Sequence, residues 1–351
     1  MKEKLIHGGD WVGYMKEFGG EALDFSADVS PLGLPESLRE AAVESLATLD
    51  RYPDPLSRRL IEALSEAYGI SAESFIVGNG AADIVYRLVN AVKPVKALVT
   101  APTFAEYEEA LSTVGCTVTY HPLKEEDGLR IGEDMLSAID ESLDIMFICE
   151  PNNPTGLTTD KKLLLKLLDR ARDCKVRVLV DECFNDFLDE PDKHSLVDHI
   201  KNYDNLIILK SFTKMYAMAG ARLGYSISSD VRLCDKMRKI VQAWPISSIA
   251  EEMGIRALEE TAYRDEVRTL TKIEKAYLYD ELSNVADKVI AGEANFLLFR
   301  ARTGLKEDLM KRGIVIRGCD NFNGLDGHWY RVGVRTHEEN IKLIAAIKEE
   351  L

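Results

Sequence analysis

The chain has 351 residues, 46% of them hydrophobic, with a formal net charge of −15. That length suffices for a large and a small folded unit around sizeable cores. The acidic balance argues against nucleic acid as a partner, while a few cations gathered in a pocket would suit a small anion. Six cysteines (Cys116, Cys149, Cys174, Cys183, Cys234, Cys319) form no Cys-x-x-Cys pair. They read as buried reduced thiols and not as a zinc or disulfide framework. No run approaches the roughly 18 apolar residues of a membrane span. The opening Met1-Lys2-Glu3-Lys4-Leu5-Ile6-His7-Gly8-Gly9 lacks the apolar core of a signal peptide, so a soluble, cytoplasmic protein is expected.

In chain order, residues 1–30 read as short, Gly-containing and irregular. Pro35-Glu36-Ser37 opens a helix predicted over 35–47, and an amphipathic helix over 57–68 ends at Gly69. Between them lies a rigid turn containing Tyr52-Pro53-Asp54-Pro55. Strands are then predicted at 74–77, 96–100, 117–121, 144–149, 176–180, 205–209 and 224–227, with helices between them, for example 159–174. Several are unbroken Val/Ile/Leu runs such as Leu206-Ile207-Ile208-Leu209, the pattern of a sheet covered on both faces. The alternation predicts an α/β unit: a mostly parallel seven-stranded sheet wrapped by helices. Residues 246–285 read as helical and charged, as one long connecting helix. Strands at 288–290, 296–299, 314–317 and 330–334, with helices starting at Leu305 and His337, predict a smaller α+β unit.

In an open α/β sheet, ligands bind outside the carboxyl ends of the strands, so the residues following each strand matter most. After 74–77 come Gly80-Ala81-Ala82, small residues opening a helix whose free N–H groups suit a phosphate. After 96–100 comes Phe104, a ring able to stack on a planar group. After 144–149 comes Glu150-Pro151-Asn152-Asn153-Pro154-Thr155-Gly156, where two prolines fix a loop and aim an asparagine amide. After 176–180 comes Asp181, a carboxylate that is costly at the end of an apolar strand unless it is partnered. After 205–209 come Ser211-Phe212-Thr213-Lys214, with Arg222 eight residues further on. An amine at the mouth of a buried strand, with two hydroxyls and a guanidinium nearby, is what pyridoxal phosphate needs for its aldehyde and its phosphate. Each feature also has a plainer reading: a strand-to-helix turn, a packing ring, a Pro/Gly turn, a helix cap, a surface lysine. Their succession along one sheet edge is what points to a site.

On these residues the chain resembles the fold-type-I pyridoxal-phosphate enzymes, aminotransferase class I/II, over nearly its whole length. The resemblance implies that Asn153, in Asn153-Pro154-Thr155-Gly156, bonds the cofactor's 3′ oxygen. It implies that Asp181 pairs with the pyridine nitrogen, that Lys214 is the Schiff-base lysine, and that Ser211, Thr213 and Arg222 hold the phosphate. Tyr52 would reach the phosphate of a neighbouring subunit, which implies a homodimer. Arg331, in Tyr330-Arg331-Val332, would hold a substrate α-carboxylate. The implied division is an N-terminal arm over 1–30 that joins the small unit and the substrate site, a large cofactor-binding domain over 31–270, and a small domain over 271–351.

Two branches of the family share further patterns with the chain. Tyr52-Pro53-Asp54, Asn152-Asn153-Pro154-Thr155-Gly156 and Leu223-Gly224-Tyr225 are similar to both histidinol-phosphate aminotransferases and threonine-phosphate decarboxylases. His7-Gly8-Gly9, Asp24-Phe25-Ser26-Ala27, Pro31-Leu32-Gly33, Phe184 and the run Ile316-Arg317-Gly318-Cys319 resemble the decarboxylases, and aminotransferases usually carry tyrosine at the Phe184 position. The expected substrate is therefore a small phosphorylated amino acid, most simply threonine phosphate in cobalamin biosynthesis, with amino transfer as the alternative. Such a substrate needs several cations: Arg331 for its carboxylate and Arg317, Arg335 and His7 for its phosphate. For Arg317 and Arg335 the plainer reading is a surface salt bridge, and for His7 a loose chain end. Two positions depart from the decarboxylase pattern, where Asp28 and Ser30 replace asparagines. An ionised Asp28 beside a phosphorylated substrate would be repulsive unless protonated or turned away. A third departure is Glu150, which replaces the first asparagine of the proline-rich loop. The acidic charge and the intact Lys214 argue against a non-catalytic regulator of the same fold.

Overall fold

A computed structural model describes residues 7–351. The arm expected to be irregular carries a helix, Trp11–Phe18, and a two-residue strand, β1 (Leu23–Asp24). The Asp10 side chain caps this helix by accepting from the Gly13 N–H, and Gly19 ends it in the left-handed region. Its eight residues are too short for periodicity to register in the sequence. Helices Glu36–Ser45 and Arg58–Tyr68 follow.

The next seven strands are β2 (Phe75–Gly78), β3 (Lys96–Ala101), β4 (Thr117–Pro122), β5 (Ile145–Cys149), β6 (Arg177–Asp181), β7 (Leu206–Ser211) and β8 (Gly224–Ser228). They form one sheet in the order β2-β8-β7-β6-β5-β3-β4. All run the same way except β8, which is antiparallel to both β2 and β7. The link between β7 and β8 has no long crossover helix, which a parallel return would need. The reversal has a functional consequence: Gly224 pairs with Ser211, so Arg222 comes back to the strand end from which Lys214 projects. Strands β5, β6 and β7 are buried along their length, apart from a half-buried Arg177 at the start of β6. Two apolar clusters built on Leu98, Met146 and Val178 and on Val99, Phe147 and Leu179 cover the two faces.

The helix expected over 246–285 is two helices, Ser248–Ala257 and Thr261–Ser283. The Ser247 side chain caps the first by accepting from the Ala250 N–H. The expected domain boundary at 270 falls inside the second. Beyond it come β9 (Lys288–Ile290), β10 (Phe296–Arg300), β11 (Ile314–Val315), β12 (Arg317–Gly318) and β13 (Trp329–Gly333). The strand expected over 314–317 splits because its halves serve different sheets: β11 pairs with β1, and β12 pairs with β13 in the sheet β12-β13-β10-β9. Phe25 from the arm packs in the same core as Leu278, Phe299 and Leu343, so the arm and the C-terminal unit share one apolar interior.

Candidate active site

The carboxyl ends of β2, β3, β5, β6 and β7 open on one cavity of about 370 Å³, closed on its other side by the arm and the C-terminal sheet. Asp181 is the last residue of β6 and Ser211 the last of β7. Phe104 and Asn153 follow β3 and β5, and Ala81 and Ala82 begin the helix after β2. All six line the cavity, as do Thr213, Lys214 and Arg222. Residues spread over more than 140 positions converge because parallel strands deliver their ends to one edge.

The cradle beside Lys214 is made of hydroxyls and a guanidinium. Ser211 Oγ and Thr213 Oγ1 lie 2.7 Å apart, and the Thr213 N–H donates to Ser211 Oγ. Arg222 donates from Nη1 to the Ala219 carbonyl at 3.1 Å. Gly80 has φ +86, and a Cβ there would lie 2.5 Å from Arg222 Nη2, so glycine is what lets the guanidinium cross the helix start. These groups fit a phosphate.

The Lys214 amine lies 5.8 Å from the centroid of the Phe184 ring. Burial pushes its pKa below the usual lysine range; Asp28 opposes that shift and Arg331 adds to it. A lowered pKa raises the share of neutral amine, the form that attacks a carbonyl. Asp181 is buried, and burial pushes its pKa up against hydrogen bonds from the Cys183 backbone and the Tyr107 hydroxyl. The Tyr107 O–H donates to Asp181 Oδ2 at 2.7 Å and the Cys183 N–H to Oδ1 at 3.0 Å. No ion pair to Asp181 exists among the described residues, so the carboxylate suits a cationic partner such as a protonated ring nitrogen. Tyr107, which holds the candidate site residue Asp181, is a contact that sequence reasoning missed. Nothing in Glu106-Tyr107-Glu108 separates it from an ordinary core tyrosine.

The opposite wall carries charge. Arg331 donates from Nη1 to Asn153 Oδ1, and its Nη2 reaches the Ser26 carbonyl at 3.2 Å and Asp28 Oδ2 at 2.6 Å. Arg317 also lines the cavity; its guanidinium donates to the Gly318 carbonyl and to Asn321 Oδ1 and lies over the Phe322 ring. His7 lines the mouth with Nε2 2.5 Å from Glu106 Oε1, and its ring centroid is 5.8 Å from that of Phe104.

Two expected site residues stand apart. Arg335 does not line the cavity: its Nη2 and Nε bind the Glu339 carboxylate, one turn into the last helix, and its Nη1 reaches the Asp24 carbonyl. The Arg335 side chain is thus spent on a local ion pair with Glu339, apart from the cavity where the phosphate role was expected. Tyr52 is 78% exposed and stacks on Trp244 with centroids 4.2 Å apart, away from this chain's own cavity.

Residues 21–347 match the aminotransferase class I and II family. A threonine-phosphate decarboxylase of Salmonella typhimurium is 34% identical over 335 residues, covering 94% of this chain and 92% of the relative. A histidinol-phosphate aminotransferase of Pyrococcus furiosus is also 34% identical, over 331 residues, covering 92% and 90%. The crystal structure of the histidinol-phosphate aminotransferase of Clostridium acetobutylicum superposes with a TM-score of 0.87 at 31% identity, covering 93% of this chain and 98% of the other. Overall identity therefore does not separate the two reactions.

Proposed function

We propose that this chain, which belongs to the aminotransferase class I and II family, is a pyridoxal-phosphate-dependent decarboxylase acting on threonine phosphate. The observation that carries this reading is the charge around Lys214. Arg222 with Ser211 and Thr213 accounts for one phosphate, and Arg331, Arg317 and His7 line the same cavity. A substrate bearing both a carboxylate and a phosphate calls for that second set of cations. Phe184 beside Lys214, where a tyrosine would supply a hydroxyl, supports the decarboxylase branch as well.

When bound, the cofactor supplies an electron sink for negative charge at the substrate's Cα. Lys214 would offer the amine that holds its aldehyde carbon, and the same amine would hold or deliver a proton at the substrate's Cα. Asp181, oriented by Tyr107 and the Cys183 N–H, would keep the pyridine nitrogen protonated. Asn153 has its Oδ1 committed to Arg331 and offers its amide N–H groups to the ring oxygen. Arg331 orients the carboxylate, His7 and Arg317 grip the phosphate, and Phe104 and Phe184 exclude water from the reacting face. Tyr52, exposed in the single chain, fits the reading that a second copy completes the phosphate site in a homodimer.

One observation favours the alternative, amino transfer from histidinol phosphate: Arg331 already holds an internal carboxylate, Asp28, and histidinol phosphate carries none of its own. The deciding experiment is a product assay. Threonine phosphate should release CO2 with no keto acid present. Amino transfer from histidinol phosphate to a keto acid, with no CO2 from threonine phosphate, would replace the proposal by the alternative.

A further inference from the structure

The mechanism above uses Arg331 but gives no role to its ion pair with Asp28, and both residues line the same cavity as Lys214. Asp28 is 1% exposed and Arg331 6%. Asp28 Oδ2 lies 2.6 Å from Arg331 Nη2, while Asp28 Oδ1 and Arg331 Nε are buried without a hydrogen-bond partner. The backbone fixes the carboxylate there. The Asp28 carbonyl accepts from Asn295 Nδ2 at 3.0 Å, and Gly333, next but one to Arg331, leaves only 3.2 Å between its would-be Cβ and Asp28 Oδ1. A guanidinium in this state is already neutralised. A substrate carboxylate arriving at it would put two carboxylates on one buried cation, which is strongly unfavourable unless one of them takes up a proton.

We propose that Asp28 is the specificity-determining residue of this site: it serves Arg331 as an internal counter-carboxylate, and a ligand's carboxylate binds there only as Asp28 accepts one proton from solvent. The balance is simple. One O–H bond forms on Asp28, no bond to carbon changes, and the net charge around Arg331 stays the same. This inference rests on the reading of Arg331 as the carboxylate grip. The groups facing Asp28 are Arg331 on β13, Lys214 after β7, Asp24 on β1 and Arg317 on β12. Burial already pushes the Asp28 carboxyl up, against the pull of Arg331 and Lys214, and a second carboxylate would push it further the same way. The unpartnered Oδ1 and Nε are the positions a carboxyl–carboxylate pair would fill.

The test uses the holoenzyme and two unreactive probes that differ only in the carboxylate: 3-phosphooxybutanoate, which is threonine phosphate without its amine, and isopropyl phosphate. Calorimetry in two buffers of different ionisation enthalpy counts the protons taken up on binding. Near pH 8 the wild type should take up about one proton more with 3-phosphooxybutanoate than with isopropyl phosphate. Asp28→Asn should lose that excess and bind the carboxylated probe tighter, by a margin that widens about tenfold per pH unit wherever Asp28 is ionised in the wild type. Asp28→Ala should lose the excess proton too. If neither variant retains the cofactor, the wild-type count alone decides, and no excess uptake overturns the proposal. Equal proton counts and affinities in wild type and Asp28→Asn also overturn it. Binding of the carboxylated probe by neither protein removes it together with the assignment of Arg331. A clear Asp28 effect with no CO2 from threonine phosphate would uphold the proposal and reject the decarboxylase reading.

Discussion

The two walls of the cavity are built on different principles. On the cofactor side, Asp181, Ser211, Asn153 and Phe104 sit at or just beyond the ends of neighbouring parallel strands, and the one ionisable group among them, Asp181, is held by neutral donors. On the substrate side the charged groups come from the arm and from β12 and β13, and two of them already hold protein carboxylates: Arg331 holds Asp28, and His7 holds Glu106. On the proposed reading, the first wall is preorganised for a resident group that completes its electrostatics. The second exchanges internal partners for those of a ligand, so its affinity is a difference between two sets of ion pairs.

The largest expected effect tests the first wall. Lys214→Ala should abolish turnover and the borohydride-reducible link between protein and cofactor, while the phosphate cradle still retains cofactor noncovalently. A reducible adduct persisting in the variant, read by mass spectrometry, would show that another amine does the work. Asp181→Asn comes next. It keeps the hydrogen bonds from Tyr107 and Cys183 within reach but removes the charge, and turnover should fall on the order of 100-fold or more. A rate within a few-fold of wild type would reduce Asp181 to a structural cap and erase the distinction between the walls.

The cofactor wall was largely legible in the sequence for the reason that sets it apart. Strand ends are marked by unbroken apolar runs, and in a parallel sheet the residues just beyond them share one edge, so Asp181, Lys214 and Asn153 could be assembled without coordinates. Arg222 needed one step more, because only the antiparallel β8 explains how a residue eight positions after Lys214 returns beside Ser211. The substrate wall was less legible because side-chain partners decide it. Arg335 and Arg317 look alike in sequence, but a glutamate four residues on, Glu339, claims Arg335 as part of the start of the last helix. Asp28 could be recognised as a departure from the pattern, yet its ion pair with Arg331 spans about 300 positions and no local spacing encodes it. The helix Trp11–Phe18 and the break after Ala257 were hidden by short length and by charged residues that suit helices and their ends alike.

Two arginines only four positions apart sharpen the second wall. Arg331→Ala should weaken 3-phosphooxybutanoate by about tenfold to a hundredfold, the loss of a charge-assisted hydrogen-bond partner, and leave isopropyl phosphate nearly unchanged. Arg335→Ala should not discriminate between the probes. Its effect should be on stability, roughly 0.5–1 kcal/mol from a partly exposed ion pair at a helix start. A selective loss of the carboxylated probe in Arg335→Ala would return that residue to the site.

The smallest effect on turnover separates two buried carboxyls, Asp181 in the first wall and Glu150 behind it. Asp181 faces the cavity, where a cationic ring nitrogen can compensate it, whereas Glu150 is fully buried under the Asn153 loop, with no ion pair to it among the described residues. Glu150 Oε1 accepts the Thr159 N–H at 2.7 Å, and Oε2 has no partner. Burial, only partly offset by those Thr159 contacts, pushes its pKa up to about 8 from an ordinary 4.5. The folded state therefore holds a proton that the unfolded chain releases. Below the unfolded pKa both states are protonated and ionisation costs nothing. As pH rises from 4.5 towards 8 the folded state loses ground by up to about 1.4 kcal/mol per unit, and above 8 the loss is complete and level. Glu150→Gln keeps the shape and cannot ionise. Its advantage over wild type in denaturant midpoint should grow across that window and then stay constant, with turnover at neutral pH within a few-fold of wild type. A stability difference that does not change with pH would mean that Glu150 is ionised in the fold and compensated by a group still to be found.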